Sequence, residues 1–185
     1  MKGIRGNLPN ILTLINLSLG VIAILLAFNE GQTSTENFLI PASLLVMVAA
    51  LTDRFDGKVA RMLDCTSEFG KELDSLSDLI SFGLAPVVIA WKISLSSLGP
   101  AGYLIALIFP VAGALRLARY NVTEFNDIFR GIPITIAGAF LTINNLYDCF
   151  ALLKHSFTIF HAIASAVFIV LLSFLMVSKI KFKKR

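Results

Sequence analysis

Four aspartates in the stretch 53–78 stand at spacings that bring carboxylates together in pairs. Asp53 and Asp56 are three residues apart, so they share one face of a helix. Asp74 and Asp78 are four residues apart and share a face of the next helix. Grouped carboxylates repel one another unless a cation lies among them, and Mg²⁺ and Mn²⁺ take such oxygen ligands. The four aspartates are therefore candidate ligands for two divalent cations about 4 Å apart, an arrangement that suits a displacement at phosphorus.

Two glycines and an arginine extend these acidic faces. Gly57 and Arg61 follow Asp53 by four and eight residues. Gly70 precedes Asp74 by four residues. Glycine lets a neighbouring helix or a nucleotide approach closely, and Arg61 supplies a cation for a phosphate or a carboxylate. The other interpretation is a solvated turn with balanced surface charges, but the repeated spacing on both helices favours a binding site.

The aspartates lie in a chain with the composition of an integral membrane protein. Of its 185 residues, 56% are hydrophobic and only 15% are charged, whereas about 25% are charged in soluble domains. A membrane-spanning helix needs about 20 apolar residues, so the chain has room for six. We predict a single all-α membrane domain over residues 1–185, with a short interfacial segment before Pro9. The six predicted transmembrane helices are residues 11–28, 38–62, 70–93, 100–120, 132–153 and 157–177.

The second and third predicted helices must position the aspartates. Neither proline nor a turn-forming cluster stands between residues 51 and 63, so the second helix continues past the hydrocarbon. A short turn at residues 63–69 makes the two helices neighbours. The third helix carries its acids in its first turns and is predicted to kink at Pro86. Four carboxylates therefore converge where the chain enters the membrane, where acids are rare unless they have a function.

The distribution of basic residues predicts the orientation in the membrane. Of the 16 lysines and arginines, only Lys92 and Lys154 fall on the side opposite the aspartates. Loops rich in lysine and arginine face the cytoplasm. We therefore expect a multi-pass protein of the cell membrane whose two termini and acidic cluster face the cytoplasm. Its surroundings are the lipid bilayer, and no nucleic-acid partner is expected.

The acidic stretch resembles the signature of the CDP-alcohol phosphotransferase family. The signature reads D-x-x-D-G-x-x-A-R, then eight residues, then G-x-x-x-D-x-x-x-D. It is met by Asp53, Asp56, Gly57, Ala60, Arg61, Gly70, Asp74 and Asp78. The resemblance implies that the motif holds two divalent cations, Mg²⁺ or Mn²⁺, while an alcohol attacks the β-phosphorus of a CDP-activated lipid and CMP leaves. It also implies that Asp78 is the catalytic base and that the protein is a homodimer.

Three patterns outside the signature resemble the bacterial and archaeal phosphatidylserine synthase branch of that family. They are PNILTLINLSLG from Pro9 to Gly20, SFGLAP from Ser81 to Pro86, and RLARYN from Arg116 to Asn121 with GIP at residues 131–133. This resemblance implies CDP-diacylglycerol and L-serine as substrates. Transfer to glycerol 3-phosphate or an inositol stays open, although such acceptors would require more basic groups near the site.

Four polar residues outside the signature are further candidates for substrate binding. Asn10 and Thr13 stand where the first helix enters the membrane, and they can hydrogen-bond a cytosine or a ribose, or cap the helix. Arg116 and Arg119 are three residues apart on one helix face and can bind a lipid phosphate or the carboxylate of serine. As ordinary residues at a membrane boundary, the two arginines would instead lie beside lipid headgroups.

A divalent-ion transporter is the alternative from a different functional class. Transporters place intramembrane acids near the midplane, between repeated halves of the chain. The present acids lie at a membrane edge, and the sequence shows no internal repeat. Their position therefore favours an enzyme.

Overall fold

Helices make up most of the chain in a computed structural model of the protein. The structure describes residues 2–29, 36–62, 67–122, 129–178 and 181–182, and the side chains of residues 10–29, 38–54, 67–122 and 131–178. The α-helices are α1 (Lys2–Ala27), α2 (Glu36–Met62), α3 (Glu68–Asp78), α4 (Ala85–Ile93), α5 (Pro100–Val122), α6 (Ile134–Leu153) and α7 (Ile159–Val177).

Short non-α elements complete the architecture. A π-helical segment, Leu79–Leu84, joins α3 to α4, and a 3₁₀ turn, Leu95–Leu98, precedes α5. The two-residue strands β1 (Phe129–Arg130) and β2 (Lys181–Phe182) pair in antiparallel fashion. The all-α prediction is confirmed, because this small pairing is the only sheet in the described part of the chain.

Five helical segments among the described residues are long and apolar enough to cross a membrane. They are Asn10–Ala27, Glu68–Ile93, Pro100–Val122, Ile134–Leu153 and Ile159–Val177. The 27 residues of α2 form the sixth long segment, and its C-terminal third is polar because it carries the signature acids. The chain is therefore a helical membrane protein. Its second predicted span is supported by the length of α2 and by its extensive packing against α1.

The first span differs from the prediction near its start. α1 begins at Lys2 and runs without a break through Pro9. Residues 2–9 are thus the first turns of the same helix, ahead of the apolar segment Asn10–Ala27, whereas the sequence predicted that the chain changes direction at Pro9. Proline removes one backbone hydrogen bond, and transmembrane helices tolerate that loss when neighbouring groups compensate.

The third span is one rod in which α3, the π segment and α4 follow one another directly. Within it the N–H of Ala85 donates to the carbonyl of Ile80, five residues back. Pro86 has no N–H to donate to Phe82, its partner in a regular α-helix. The wider turn accommodates this missing bond. The irregularity expected at Pro86 therefore takes the form of a π-helical segment just before it.

Two glycines hold the π segment between neighbouring helices. A Cβ on Gly20 of α1 would stand 2.7 Å from the Cα of Ser81. A Cβ on Gly138 of α6 would stand 2.5 Å from the carbonyl oxygen of Phe82. Both distances are too short for a real side chain, so only glycine permits these crossings. These close contacts hold the third span in position, and Asp78, three residues before Ser81, is held with it.

A buried polar cluster joins α6 to α7 in the half of the bundle away from the aspartates. Asp148 accepts hydrogen bonds from the Ser165 hydroxyl at 2.6 Å and from the Asn144 amide at 3.2 Å. The same amide donates to the Ser165 hydroxyl oxygen at 2.7 Å. Asp148 and Ser165 are almost fully buried. Polar groups at this depth must satisfy one another because hydrocarbon offers them no partner.

Replacing Ser165 by alanine is expected to lower the free energy of unfolding by about 1 to 2 kcal/mol, because it removes two interhelical hydrogen bonds. Equilibrium unfolding of the purified protein in mixed micelles measures this loss. Ser173→Ala is the matched control, since Ser173 is equally buried in α7 but donates within its own helix, to the carbonyl of Ile169. Equal losses in the two variants would contradict an interhelical role for Ser165.

Candidate active site

Three of the four predicted metal ligands lie together at the start of the third span. Asp74 and Asp78 project from α3, one helical turn apart, and Asp53 comes from α2. One carboxylate oxygen of each residue lies within 4.8 Å of the others. Asp78 is buried and the other two side chains are half-buried. We call this group the triad, and its formation agrees with the expected convergence of carboxylates from two helices.

The triad suits a hard divalent cation. One carboxylate oxygen of Asp53 lies within 4.8 Å of one of Asp78, so the two groups repel each other when both are ionised. A divalent cation among the three carboxylates would offset most of their negative charge, and Mg²⁺ and Mn²⁺ prefer carboxylate oxygens as ligands. The described side chains thus fit such an ion by charge, ligand type and proximity.

A cavity of about 200 Å³ opens beside the triad. It lies between α3, the end of α5 and the start of α6. The lining residues are Lys71, Asp74, Ser75, Asp78, Arg116, Leu117, Tyr120, Asn121, Pro133 and Thr135. Sites for drug-sized ligands have volumes of about 300 to 1,000 Å³, so this cavity suits a small polar molecule.

Two cationic side chains line the cavity together with two of the acids. Lys71 stands on the same face of α3 as Asp74 and Asp78, three and seven residues before them. Arg116 of α5 is half-buried, and its charge interacts with that of Asp78. The cavity therefore combines carboxylates that suit a metal ion with cations that suit an anionic group of a substrate.

Asn121 ties the end of α5 to α3 at this cavity. Its side-chain amide donates to the two carboxylate oxygens of Glu72, at 3.2 and 3.3 Å, and to the Ser75 hydroxyl oxygen at 3.0 Å. Its backbone carbonyl accepts a hydrogen bond from Lys71 Nζ at 3.4 Å. These contacts join the helix that carries Arg116 to the helix that carries two of the aspartates, so they set the distance between the two walls.

The start of α6 forms the third wall. The Thr135 hydroxyl donates to Asp53 Oδ2 at 3.3 Å, and Thr135 also lines the cavity. Thr135 was not predictable from the sequence, because its partner Asp53 lies 82 residues away along the chain. Only the neighbouring pattern GIP at residues 131–133 indicated that this region contributes to the site.

Asn10 and Gly70, both predicted to contact substrate, are neighbours where α1 meets α3. A Cβ on Gly70 would stand 2.9 Å from Asn10 Oδ1 and 3.1 Å from Ser67 Oγ. Thr13 is one turn further along α1 and is buried, and its carbonyl accepts a hydrogen bond from the Ser77 hydroxyl at 3.1 Å. The structure therefore places these residues at a helix crossing and not in the cavity wall.

The two predicted arginines have different surroundings. Arg116 lines the cavity, whereas Arg119 is exposed and donates to the carbonyl of Val177, at the end of α7, at 3.4 Å. Arg119 is not among the lining residues of the described cavity. The second cation of the cavity is Lys71, which was not among the residues predicted to bind substrate. Helical spacing could have identified it, since Lys71, Asp74 and Asp78 share one face.

The remaining signature residues lie in the last turns of α2. Asp56, Gly57, Ala60 and Arg61 belong to this helix, but their side chains fall outside the described residues. Their roles as a metal ligand and as substrate contacts stay predictions.

Comparison with known sequences shows one family along almost the whole chain. The family described as CDP-alcohol phosphatidyltransferase matches residues 6–179. The chain is 36% identical over 176 residues to a CDP-diacylglycerol–serine O-phosphatidyltransferase of Bacillus subtilis (strain 168), covering 95% of this chain and 89% of that protein. It is 37% identical over 178 residues to a protein of the same name from Helicobacter pylori (strain ATCC 700392 / 26695), covering 94% and 70%. It is 35% identical over 182 residues to an archaetidylserine synthase of Methanothermobacter thermautotrophicus, covering 96% and 70%.

Proposed function

The chain belongs to the CDP-alcohol phosphatidyltransferase family, and we propose that it transfers the phosphatidyl group of CDP-diacylglycerol to the hydroxyl of L-serine. The products are CMP, which leaves in water, and phosphatidylserine, which stays in the bilayer. Membership of the family makes the chain an enzyme of phospholipid synthesis. Serine as the acceptor is supported by the names of the relatives, which are serine phosphatidyltransferases and an archaetidylserine synthase.

One structural observation carries the proposal: a small cavity with Arg116 and Lys71 in its wall opens beside the triad. L-Serine has a carboxylate that suits these cations and a hydroxyl that can reach the acids from the same cavity. A neutral polyol such as an inositol offers these two cations no anionic group. Charge complementarity therefore favours a small anionic or zwitterionic acceptor.

The triad gives the reaction its metal site. Asp53, Asp74 and Asp78 would hold a divalent cation, Mg²⁺ or Mn²⁺, and the resemblance adds Asp56 as a ligand and a second ion. When bound, the ions neutralise developing charge on the phosphate oxygens of the CDP-lipid. Because the three carboxylates come from two neighbouring helices, α2 and α3, they would hold the ion at the contact between these helices.

Asp78 is proposed to take the proton of the serine hydroxyl. The serine oxygen then forms a bond to the β-phosphorus of CDP-diacylglycerol. The bond from that phosphorus to the bridging oxygen breaks, and CMP leaves with the electron pair. Asp78 suits this role because it belongs to the triad and also lines the cavity. Arg116, whose charge interacts with that of Asp78, would hold the serine carboxylate so that the hydroxyl reaches Asp78.

The proposal includes an orientation and an assembly. The excess of basic residues on one side supports a cytoplasmic position of both termini and of the cavity, where serine is taken up and CMP released. The homodimer implied by the family resemblance stays a prediction, which a mass measurement of the purified protein in detergent tests.

A comparison of acceptors tests the proposed function. Purified protein in nanodiscs with CDP-diacylglycerol and Mn²⁺ is expected to release CMP with L-serine, and to release much less with glycerol 3-phosphate or inositol. Inside-out membrane vesicles should incorporate labelled serine into lipid, and sealed right-side-out vesicles should not. Preferred transfer to glycerol 3-phosphate or inositol would contradict serine as the acceptor. Manganese flux into liposomes without CMP release would favour the transporter instead.

A further inference from the structure

We infer that Thr135 is a positioning residue of the metal centre, whose hydroxyl holds the Asp53 carboxylate in the orientation that the triad requires. The inference rests on the proposed function, because it takes the triad to be the metal site. It adds an uncharged residue from α6 to a site whose signature residues all lie on α2 and at the start of the third span.

The contact itself has the chemistry of a support for a metal ligand. The hydroxyl of Thr135 donates to Asp53 Oδ2 at 3.3 Å. A carboxylate has two oxygens with about four lone pairs, so this bond leaves Asp53 free to bind a cation as well. Hydrogen bonds from outer residues commonly orient metal-binding side chains, and their loss weakens metal binding about 10- to 100-fold. Thr135 has the donor type and the position for that role.

The backbone that carries Thr135 is anchored on both sides. Gly131 has a φ of +78°, a conformation that favours glycine, and the next N–H, of Ile132, donates to the carbonyl of Leu175 at 3.2 Å. The side chain of Ile134 is 1% exposed, and its Cδ1 fills the space in which a Cβ on Gly113 would lie. The residues before Thr135 are therefore held in place twice, by the hydrogen bond of Ile132 to α7 and by the packing of Ile134 against α5. A hydroxyl presented from such a backbone can hold a carboxylate in one orientation.

A second threonine of α6 makes a local hydrogen bond within its own helix, unlike Thr135. Thr142, seven residues later, is fully buried and donates to the carbonyl of Gly138, four residues back, at 2.8 Å. That bond is the usual local one for a threonine inside a helix. Thr135 stands at the second position of α6 and donates to Asp53 of α2 instead. Its hydroxyl thus serves a partner in the triad and not its own helix.

Manganese binding without lipid substrate tests the inference. Purified full-length protein in nanodiscs is titrated with Mn²⁺, and free Mn²⁺ is followed by electron paramagnetic resonance. Thr135→Val, which keeps the shape and removes the hydroxyl, is expected to weaken Mn²⁺ binding about 10-fold or more. Thr135→Ser should bind Mn²⁺ as the wild type does, because it keeps the donor. Thr142→Val is the matched control and should also bind as the wild type does.

The outcomes separate this inference from the proposed function. If the wild type binds Mn²⁺ and Thr135→Val binds it equally well, Thr135 has no positioning role. Equal weakening in Thr142→Val would assign the effect to the packing of α6 and would also overturn the inference. A wild type that binds no Mn²⁺ would remove the proposed metal site itself. Melting temperatures in EDTA verify folding, and Thr135→Ala replaces the valine variant if that variant does not fold.

Discussion

Replacing Asp78 by asparagine is expected to lower the rate of CMP release by about 10²- to 10⁴-fold, because an amide cannot accept the proton of the attacking hydroxyl. The side chain keeps its size, so the buried end of α3 should keep its packing. The rate is measured with saturating serine and CDP-diacylglycerol. A series of Mn²⁺ concentrations up to saturation separates the loss of a base from weaker binding of the metal ion.

The matched control for this variant is Glu68→Gln. Glu68 lies in the first turn of the same helix but is exposed and is not part of the triad. The same change from acid to amide should leave CMP release close to the wild-type rate there. Near wild-type turnover of Asp78→Asn at saturating Mn²⁺ would remove Asp78 as the base.

Replacing Arg116 by glutamine is expected to raise the KM for serine about 10- to 100-fold. A hydrogen bond to a charged group contributes about 1.5 to 3 kcal/mol, and about 1.4 kcal/mol corresponds to a factor of ten. The KM for CDP-diacylglycerol should change little, since Arg116 is assigned to the acceptor. Initial rates of CMP release over a range of both substrates provide the two values separately.

Arg119→Gln is the matched control, because Arg119 lies one turn further along α5 and outside the wall of the cavity. Its KM for serine should stay close to the wild-type value. An increase in the KM for CDP-diacylglycerol alone in Arg116→Gln would assign Arg116 to the lipid phosphate instead. That result would leave Lys71 as the candidate for the serine carboxylate.

The convergence of the aspartates was predictable because it depends on local periodicity. The spacing of Asp74 and Asp78 places both on one helix face, and the short connection brings Asp53 close. The bounds of α2, α5 and α6 agree with the predicted spans to within about two residues, since long apolar segments have few alternatives in a membrane. Lys71 shares that helix face and could have been predicted from the same spacing.

The walls of the cavity were less predictable, because they depend on contacts between distant segments. Asn121 meets Glu72 across 49 residues, and Thr135 meets Asp53 across 82 residues. Neither contact follows from periodicity, which describes one helix at a time. Arg116 and Arg119 show the same difficulty. They share one helix face, but this did not predict that Arg116 would line the cavity and Arg119 would contact α7.

The two glycine crossings at the π segment have an evolutionary consequence. Gly20 of α1 and Gly138 of α6 contact the adjacent residues Ser81 and Phe82, and the base candidate Asp78 is only three residues before Ser81. A single added methyl group at either glycine would displace the backbone that carries Asp78. Either glycine can therefore change in evolution only together with a compensating change in the segment that it contacts.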